Sequence, residues 1–190
     1  MRVIPQSIPE VLLIEPRVFD DARGFFFESW HAQRYSDAGM PGSFVQSNVS
    51  RSLRGVIRGL HLQHPHGQGK LVSALDGEVL DVAVDLRVGS PTFGRWVGTR
   101  LSASNRRQLY IPPGFAHGFC TVSDSALCVY LCTEPFHPEC ELGVAFDDPD
   151  LAITWPVESP IANAKDRSNP RLSAIDPARL PRYSGSSQSG

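Results

Sequence analysis

Three separated stretches of this 190-residue chain carry the same two-residue alternation. In Phe44–Ser50, Val45, Ser47 and Val49 fall on one side, and Gln46, Asn48 and Ser50 on the other. In Glu78–Leu86, Leu80, Val82, Val84 and Leu86 form an apolar row opposite Asp81, Ala83 and Asp85. In Ala126–Cys132, Leu127, Val129 and Leu131 oppose Ala126, Cys128, Tyr130 and Cys132. Successive side chains of a strand point to opposite faces, so each stretch reads as a strand with one apolar face and one polar or small face. Several such strands predict a barrel or sandwich around a ligand cavity instead of a solid core. Small neighbours leave room around the phenol of Tyr130. The 16 glycines and 16 prolines, spread along the chain, suit many short strands joined by tight turns better than a helical bundle. An all-β fold follows.

Around these strands the chain predicts an extended segment at Val11–Ile14, a turn at Asp20–Gly24, and a short helix from Trp30 to Asp37 stopped by Gly39 and Pro41. From Asp147 to Asp166 it is irregular and proline-rich, as expected of a segment wrapping the barrel. The length fits one substantial core, so one domain is expected over residues 1–181. The Ser/Gly-rich residues 182–190 read as a disordered tail.

A formal net charge of −2 gives no general pull toward nucleic acid or an anionic membrane, so an anionic ligand must be held by a local cluster. No apolar run approaches a membrane span, and the start lacks the apolar core of a secretion signal. A cytoplasmic protein is expected. Cys120, Cys128, Cys132 and Cys140 match no zinc pattern and read as reduced, buried thiols.

The densest polar constellation is Arg58-Gly59-Leu60-His61-Leu62-Gln63, followed after a glycine-rich turn by Lys70. Cationic and titratable groups in a segment that otherwise reads as buried strand need partners or a ligand. Alternation puts Arg58 and His61 on opposite faces, so one shared site requires either a bulge or a ligand draped over the strand edge. The turn Pro112–His117 matches the Pro-x-Gly-x-x-His pattern of cupin barrels. The first metal motif of those barrels is dismantled here, reading His61-Leu62-Gln63 with no acidic residue in His64–Gln68. No metal is therefore expected, and His64 and His66 read as solvated loop residues.

The stretches Phe19–Glu28 (FDDARGFFFE), Gln46–Ser50 (QSNVS), Gly55–Gln63 (GVIRGLHLQ), Gly69–Val72 (GKLV), Asp81–Arg87 (DVAVDLR), Ser90–Gly94 (SPTFG) and Pro113–Phe119 (PGFAHGF) resemble, in order, the motifs of the dTDP-4-dehydrorhamnose 3,5-epimerase family. The resemblance covers Ile8 to Asp166. It implies a cupin-like double-stranded β-helix, a jelly-roll barrel with short peripheral helices. It also implies a homodimer, a dTDP-4-keto-6-deoxyhexose substrate, and no cofactor. By the same resemblance His61 is the general base oriented by Asp166, Tyr130 is the general acid, and Lys70 sits near the keto oxygen. Arg23, Glu28, Gln46, Asn48, Arg58, His117, Glu141 and Lys165 fall on substrate-contacting positions, with Arg23 and Glu28 serving the neighbouring subunit's site.

The chemistry agrees with these roles. A hydrogen α to a ketone is too weakly acidic for an unaided imidazole, so a base must be joined by a group that stabilises the enolate oxygen. Inversion then needs a donor on the opposite face. Three positions depart from the family. Pro135 and Phe136 stand where adjacent tyrosines are common, leaving Phe136 to stack on the base, and Leu131 stands where a lysine is common. Three other readings compete: a mono-epimerase acting at C3 or C5 only, a non-catalytic nucleotide-sugar-binding barrel, and a metal-dependent cupin oxygenase.

Overall fold

A computed structural model describes residues 1–185. Its strands, in chain order, are β1 Arg2–Pro5, β2 Leu12–Glu15, β3 Val18–Asp21, β4 Gly24–Phe27, β5 Gln46–Leu53, β6 Ile57–Gln63, β7 Lys70–Asp76, β8 Glu78–Asp85, β9 Trp96–Ser102, β10 Gln108–Ile111, β11 Phe115–Thr121, β12 Ser125–Cys132 and β13 Glu141–Gly143. Two short helices, α1 Ala32–Asp37 and α2 Ala164–Arg167, lie outside the sheets. One sheet has the order β1-β2-β10-β7-β12-β5 and the other β13-β6-β11-β8-β9, while β3 and β4 form a separate hairpin. From β5 to β13 every connection but β8–β9 crosses between the two sheets. This crossing makes an all-β fold, as the alternation predicts, and the jelly roll that the family resemblance implies.

Three apolar clusters account for the packing. Between the sheets lie Val72, Val79, Ala83, Leu101, Leu109, Ile111, Phe119 and Cys128, with Tyr130 packed against them. Outside the five-stranded sheet, Ile57, Leu60, Val82, Val84, Leu86 and Cys120 are covered by Phe146, Leu151, Trp155, Ile175 and Leu180 of the C-terminal wrap. Indole N–H groups pin this cover: Trp155 Nε1 donates to the Phe146 carbonyl at 2.7 Å and Trp96 Nε1 to the Leu151 carbonyl at 3.0 Å. The apolar row of β8 thus faces the wrap, and its polar row faces the barrel interior. On the outer face of the six-stranded sheet, Ile14, Leu71 and Tyr110 pack under Tyr35 and Met40, with Leu131 against them.

Helix α1 begins at Ala32, two residues later than the sequence pattern predicts. His31 caps it, its Nδ1 accepting from Arg34 N at 3.4 Å, while Trp30 packs edge-on against Phe44 with ring centroids 5.9 Å apart. The expected tail boundary also moves. Arg182 bridges to Val88 and the Arg87 guanidinium lies over the Tyr183 ring at 4.9 Å, so residues 182 and 183 are docked. Of the rest of the expected tail, 186–190 lie outside the described residues. All four cysteines are buried and free. No helix among the described residues is long and apolar enough to cross a membrane.

Candidate active site

The barrel interior opens into two adjoining chambers of about 270 and 190 Å³ that share His61, Lys70 and Tyr130. Gln46, Asn48, Gln63, Gln68, Phe136 and Glu141 complete the first, and Ser50, Arg58, His117, Phe119, Asn163 and Asp166 the second.

His61 reaches this space from β6 because β6 carries an extra residue against β11. His117 pairs with His61 but Phe119 pairs with Arg58, so three steps on β6 match two on β11. That bulge turns Arg58 and His61 toward one chamber, as their shared site requires. Glycines permit it. A Cβ on Gly59 (φ +121°) would lie 2.6 Å from the Gly118 Cα, and one on Gly118 would lie 2.8 Å from the Arg58 carbonyl oxygen. The Gly59 N–H donates to Asp166 Oδ2 at 3.1 Å.

Asp166, 105 residues from His61 in the chain, meets it with Oδ1 2.8 Å from Nε2. The carboxylate is almost completely buried, and α2 holds it in place through the Asn163 cap, whose Oδ1 accepts from Asp166 N at 2.7 Å. With Asp166 ionised, Nε2 carries the imidazole proton and Nδ1 keeps its lone pair. Glu141 Oε1 lies 3.9 Å from that Nδ1. Burial pulls the His61 pKa below its ordinary 6.5, against the opposing pull of Asp166 and Glu141, so the ring is neutral and basic at neutral pH.

Lys70, at the start of β7, is pulled below its ordinary pKa by burial, with Cys132, Asp81 and Glu141 opposing. A buried ammonium of lowered pKa is a strong donor toward developing negative charge. Burial raises the Tyr130 phenol above its ordinary value, which keeps it protonated. Its ring meets that of His117 edge-on at 6.4 Å between centroids.

Gln46 braces the mouth of the first chamber, its Nε2 donating to Asn48 Oδ1 at 2.9 Å while its Oε1 accepts from Phe136 N at 2.8 Å. Arg58 donates from Nε to Ser52 Oγ at 2.9 Å. Lys165 does not line either chamber but forms an ion pair with Glu141, which does. Arg23 and Glu28 stand apart. Arg23 pairs with Asp21 on the β3–β4 hairpin and Glu28 pairs with Arg34, so neither enters a chamber of its own chain. Asp81 escaped the sequence reading as a site residue: its Oδ2 lies 2.9 Å from His117 Nε2, and both groups are buried. Its place on the polar row of β8 was the available signal. Together the chambers hold a neutral imidazole backed by a carboxylate, a partly buried ammonium and a protonated phenol, which is what proton removal and return at a carbon beside a carbonyl require.

A family profile described as dTDP-4-dehydrorhamnose 3,5-epimerase matches residues 5–174. The dTDP-4-dehydrorhamnose 3,5-epimerase of Pseudomonas aeruginosa is 53% identical over 178 residues, covering 93% of this chain and 98% of that protein. The dTDP-4-dehydrorhamnose 3-epimerase of Streptomyces niveus is 44% identical over 186 residues, covering 96% and 90%. A crystal structure of the Legionella pneumophila dTDP-6-deoxy-D-glucose-3,5-epimerase in complex with dTDP-4-keto-L-rhamnose superposes with a TM-score of 0.93 at 52% identity, covering 96% of this chain and 98% of that one.

Proposed function

The chain belongs to the dTDP-4-dehydrorhamnose 3,5-epimerase family, and we propose that its two chambers invert C3 and C5 of a dTDP-4-keto-6-deoxyhexose with His61 as base and Tyr130 as acid. The observation that carries this assignment is the His61 Nε2–Asp166 Oδ1 contact of 2.8 Å, which leaves Nδ1 as the free base in a space shared with Lys70 and Tyr130.

His61 takes the hydrogen from a carbon beside the C4 ketone, and Asp166 stabilises the imidazolium so formed. The electron pair moves to O4, where the Lys70 ammonium stabilises the enolate; one preorganised donor of this kind is worth about 3–4 kcal/mol. Tyr130 returns a proton to the opposite face of the same carbon, completing inversion. His61 then loses its extra proton and the phenolate regains one. The cycle at the second α-carbon is the same. Arg58 supplies a forked donor for the diphosphate, and Phe136 an aromatic face for the base.

Arg23 and Glu28 enter this scheme through a homodimer. The hairpin that carries Arg23 exposes Phe19, Phe25 and Phe26, and the outer face of edge strand β5 exposes Val49 and Leu53, two apolar surfaces suited to burial against a second copy. Four free buried cysteines agree with a cytoplasmic setting.

The 3-epimerase among the relatives, and this chain's own Pro135 and Phe136 in place of the common tyrosines, favour action at C3 alone as the second reading. Incubation with dTDP-4-keto-6-deoxyglucose in D2O, followed by NMR, distinguishes the two. Deuterium enters both C3 and C5, and neither in His61→Ala; exchange at C3 alone makes the protein a mono-epimerase. No exchange despite binding refutes the catalytic reading.

A further inference from the structure

Outside the chambers, one cluster of side chains brings together two imidazoles and a carboxylate that the epimerase chemistry does not use. His66 Nδ1 lies 3.6 Å from Glu134 Oε1, and His137 Nε2 lies 3.7 Å from the same oxygen. All three ligand atoms fall within 4.8 Å of one another. In a tetrahedral shell with bonds of about 2.0–2.2 Å, neighbouring ligand atoms sit about 3.3 Å apart, a few tenths of an ångström closer than these pairs.

The backbone under the cluster is held in place. Gln63, buried at the end of β6, donates from Nε2 to the His66 carbonyl at 2.6 Å and to the Pro135 carbonyl at 3.1 Å, and its Oε1 accepts from His137 N at 2.8 Å. Gln68 Nε2 donates to the Glu134 carbonyl at 2.8 Å. One buried amide therefore ties together the two loops that bear the three side chains. His137 also has an outer carboxylate neighbour: its Nδ1 lies 3.4 Å from Glu139 Oε1, from where a small side-chain adjustment lets the carboxylate hold the tautomer with Nε2 free to ligate. The two rings stack at 4.5 Å and 21°. Coordination needs both lone pairs aimed at one point, which rotation about the broad imidazole χ2 supplies without moving the backbone.

We propose that His66, Glu134 and His137 form a binding site for a divalent transition metal of the zinc class on the rim of the reaction cavity. Two imidazole nitrogens and one carboxylate oxygen suit zinc, cobalt or nickel rather than magnesium or calcium, and three protein ligands leave a coordination position to water. This departs from the sequence reading, which took His66 for a solvated loop residue and assigned no metal. The site is separate from the dismantled metal motif inside the barrel. Gln63, Gln68 and Phe136 line the first chamber, so a metal here clamps the chamber's mouth without touching the reacting atoms.

Isothermal titration of the full chain with zinc chloride, in the absence of nucleotide sugar, tests the site apart from the epimerase assignment. One zinc ion binds per chain, cobalt(II) gives the intense visible absorption of a four- or five-coordinate shell, and magnesium gives no heat. Glu139→Gln weakens zinc by about 10–100-fold, and loss of the direct ligands in His66→Ala/His137→Ala costs more than that. Should the double alanine variant fold poorly by circular dichroism, His66→Gln and His137→Asn are titrated singly, each with the same loss expected. No zinc binding at micromolar concentrations, or zinc binding unchanged in the ligand variants, overturns the proposal.

Discussion

Replacing Asp166 with Asn tests how the base is held, because the substitution keeps the shape and removes only the charge. Asp166 accepts two hydrogen bonds, from His61 Nε2 at 2.8 Å and from Gly59 N at 3.1 Å. An asparagine can satisfy one of these with its oxygen, and its NH2 then faces the other. If the NH2 faces His61, Nε2 must accept, the proton moves to Nδ1, and the nitrogen aimed at the substrate is no longer basic. If it faces Gly59, two donors confront each other in a buried site. The donor clash disfavours the second arrangement and the first removes general-base catalysis, so the expected loss is about 10²–10⁴ in kcat, or about 3–5 kcal/mol. The assay is deuterium incorporation at C3 and C5 together with a pH–rate profile, at unchanged KM for the nucleotide sugar. Asp166 raises the His61 pKa against burial, so the residual activity of Asp166→Asn has its acid limb at lower pH than the parent. A variant with kcat within a few-fold of the parent, or with the acid limb unmoved, refutes the orienting role.

Three further outcomes are expected. In the parent enzyme burial pulls the His61 pKa down and the proposed base works unprotonated, so the acid limb of kcat/KM falls at lower pH than an ordinary histidine gives, read from a pH–rate profile. Gly118→Ala pushes a methyl to 2.8 Å from the Arg58 carbonyl oxygen and 2.9 Å from Leu60 Cδ2, costing about 1–3 kcal/mol by overpacking and lowering the thermal midpoint, with activity falling as Arg58 and His61 are displaced. If the partner subunit supplies Arg23, mixing inactive Arg23→Ala and His61→Ala chains under subunit exchange restores about a quarter of parental activity, since half the dimers are hybrid and each has one complete site; no recovery places Arg23 outside the neighbouring site.

The faces of β5, β8 and β12 are legible by two-residue alternation alone, since a one-residue slip would exchange buried and exposed sets. Alternation cannot say which face looks into the barrel. For β8 the apolar row is the outer one, because the C-terminal wrap gives the sheet a second buried face. Strict alternation fails at Arg58 and His61, where Gly59 and Gly118 let β6 take an extra residue; the glycine in the motif was the only local sign. Asp166 and His61 meet across 105 residues, and no spacing rule links them, so only the family resemblance paired them. No spacing rule links His66 and His137 either, and nothing in the sequence paired them; Gln63 draws them together from separate loops.

The C-terminal wrap does two jobs that are separate in most folds. It covers the apolar outer face of the five-stranded sheet, and through α2 it delivers Asp166 to His61, the proposed base. A chain whose wrap has not docked retains His61 on its strand but has no carboxylate behind it. Turnover therefore counts only molecules that have finished folding, and partial damage to the last quarter of the chain silences the enzyme before the barrel itself gives way.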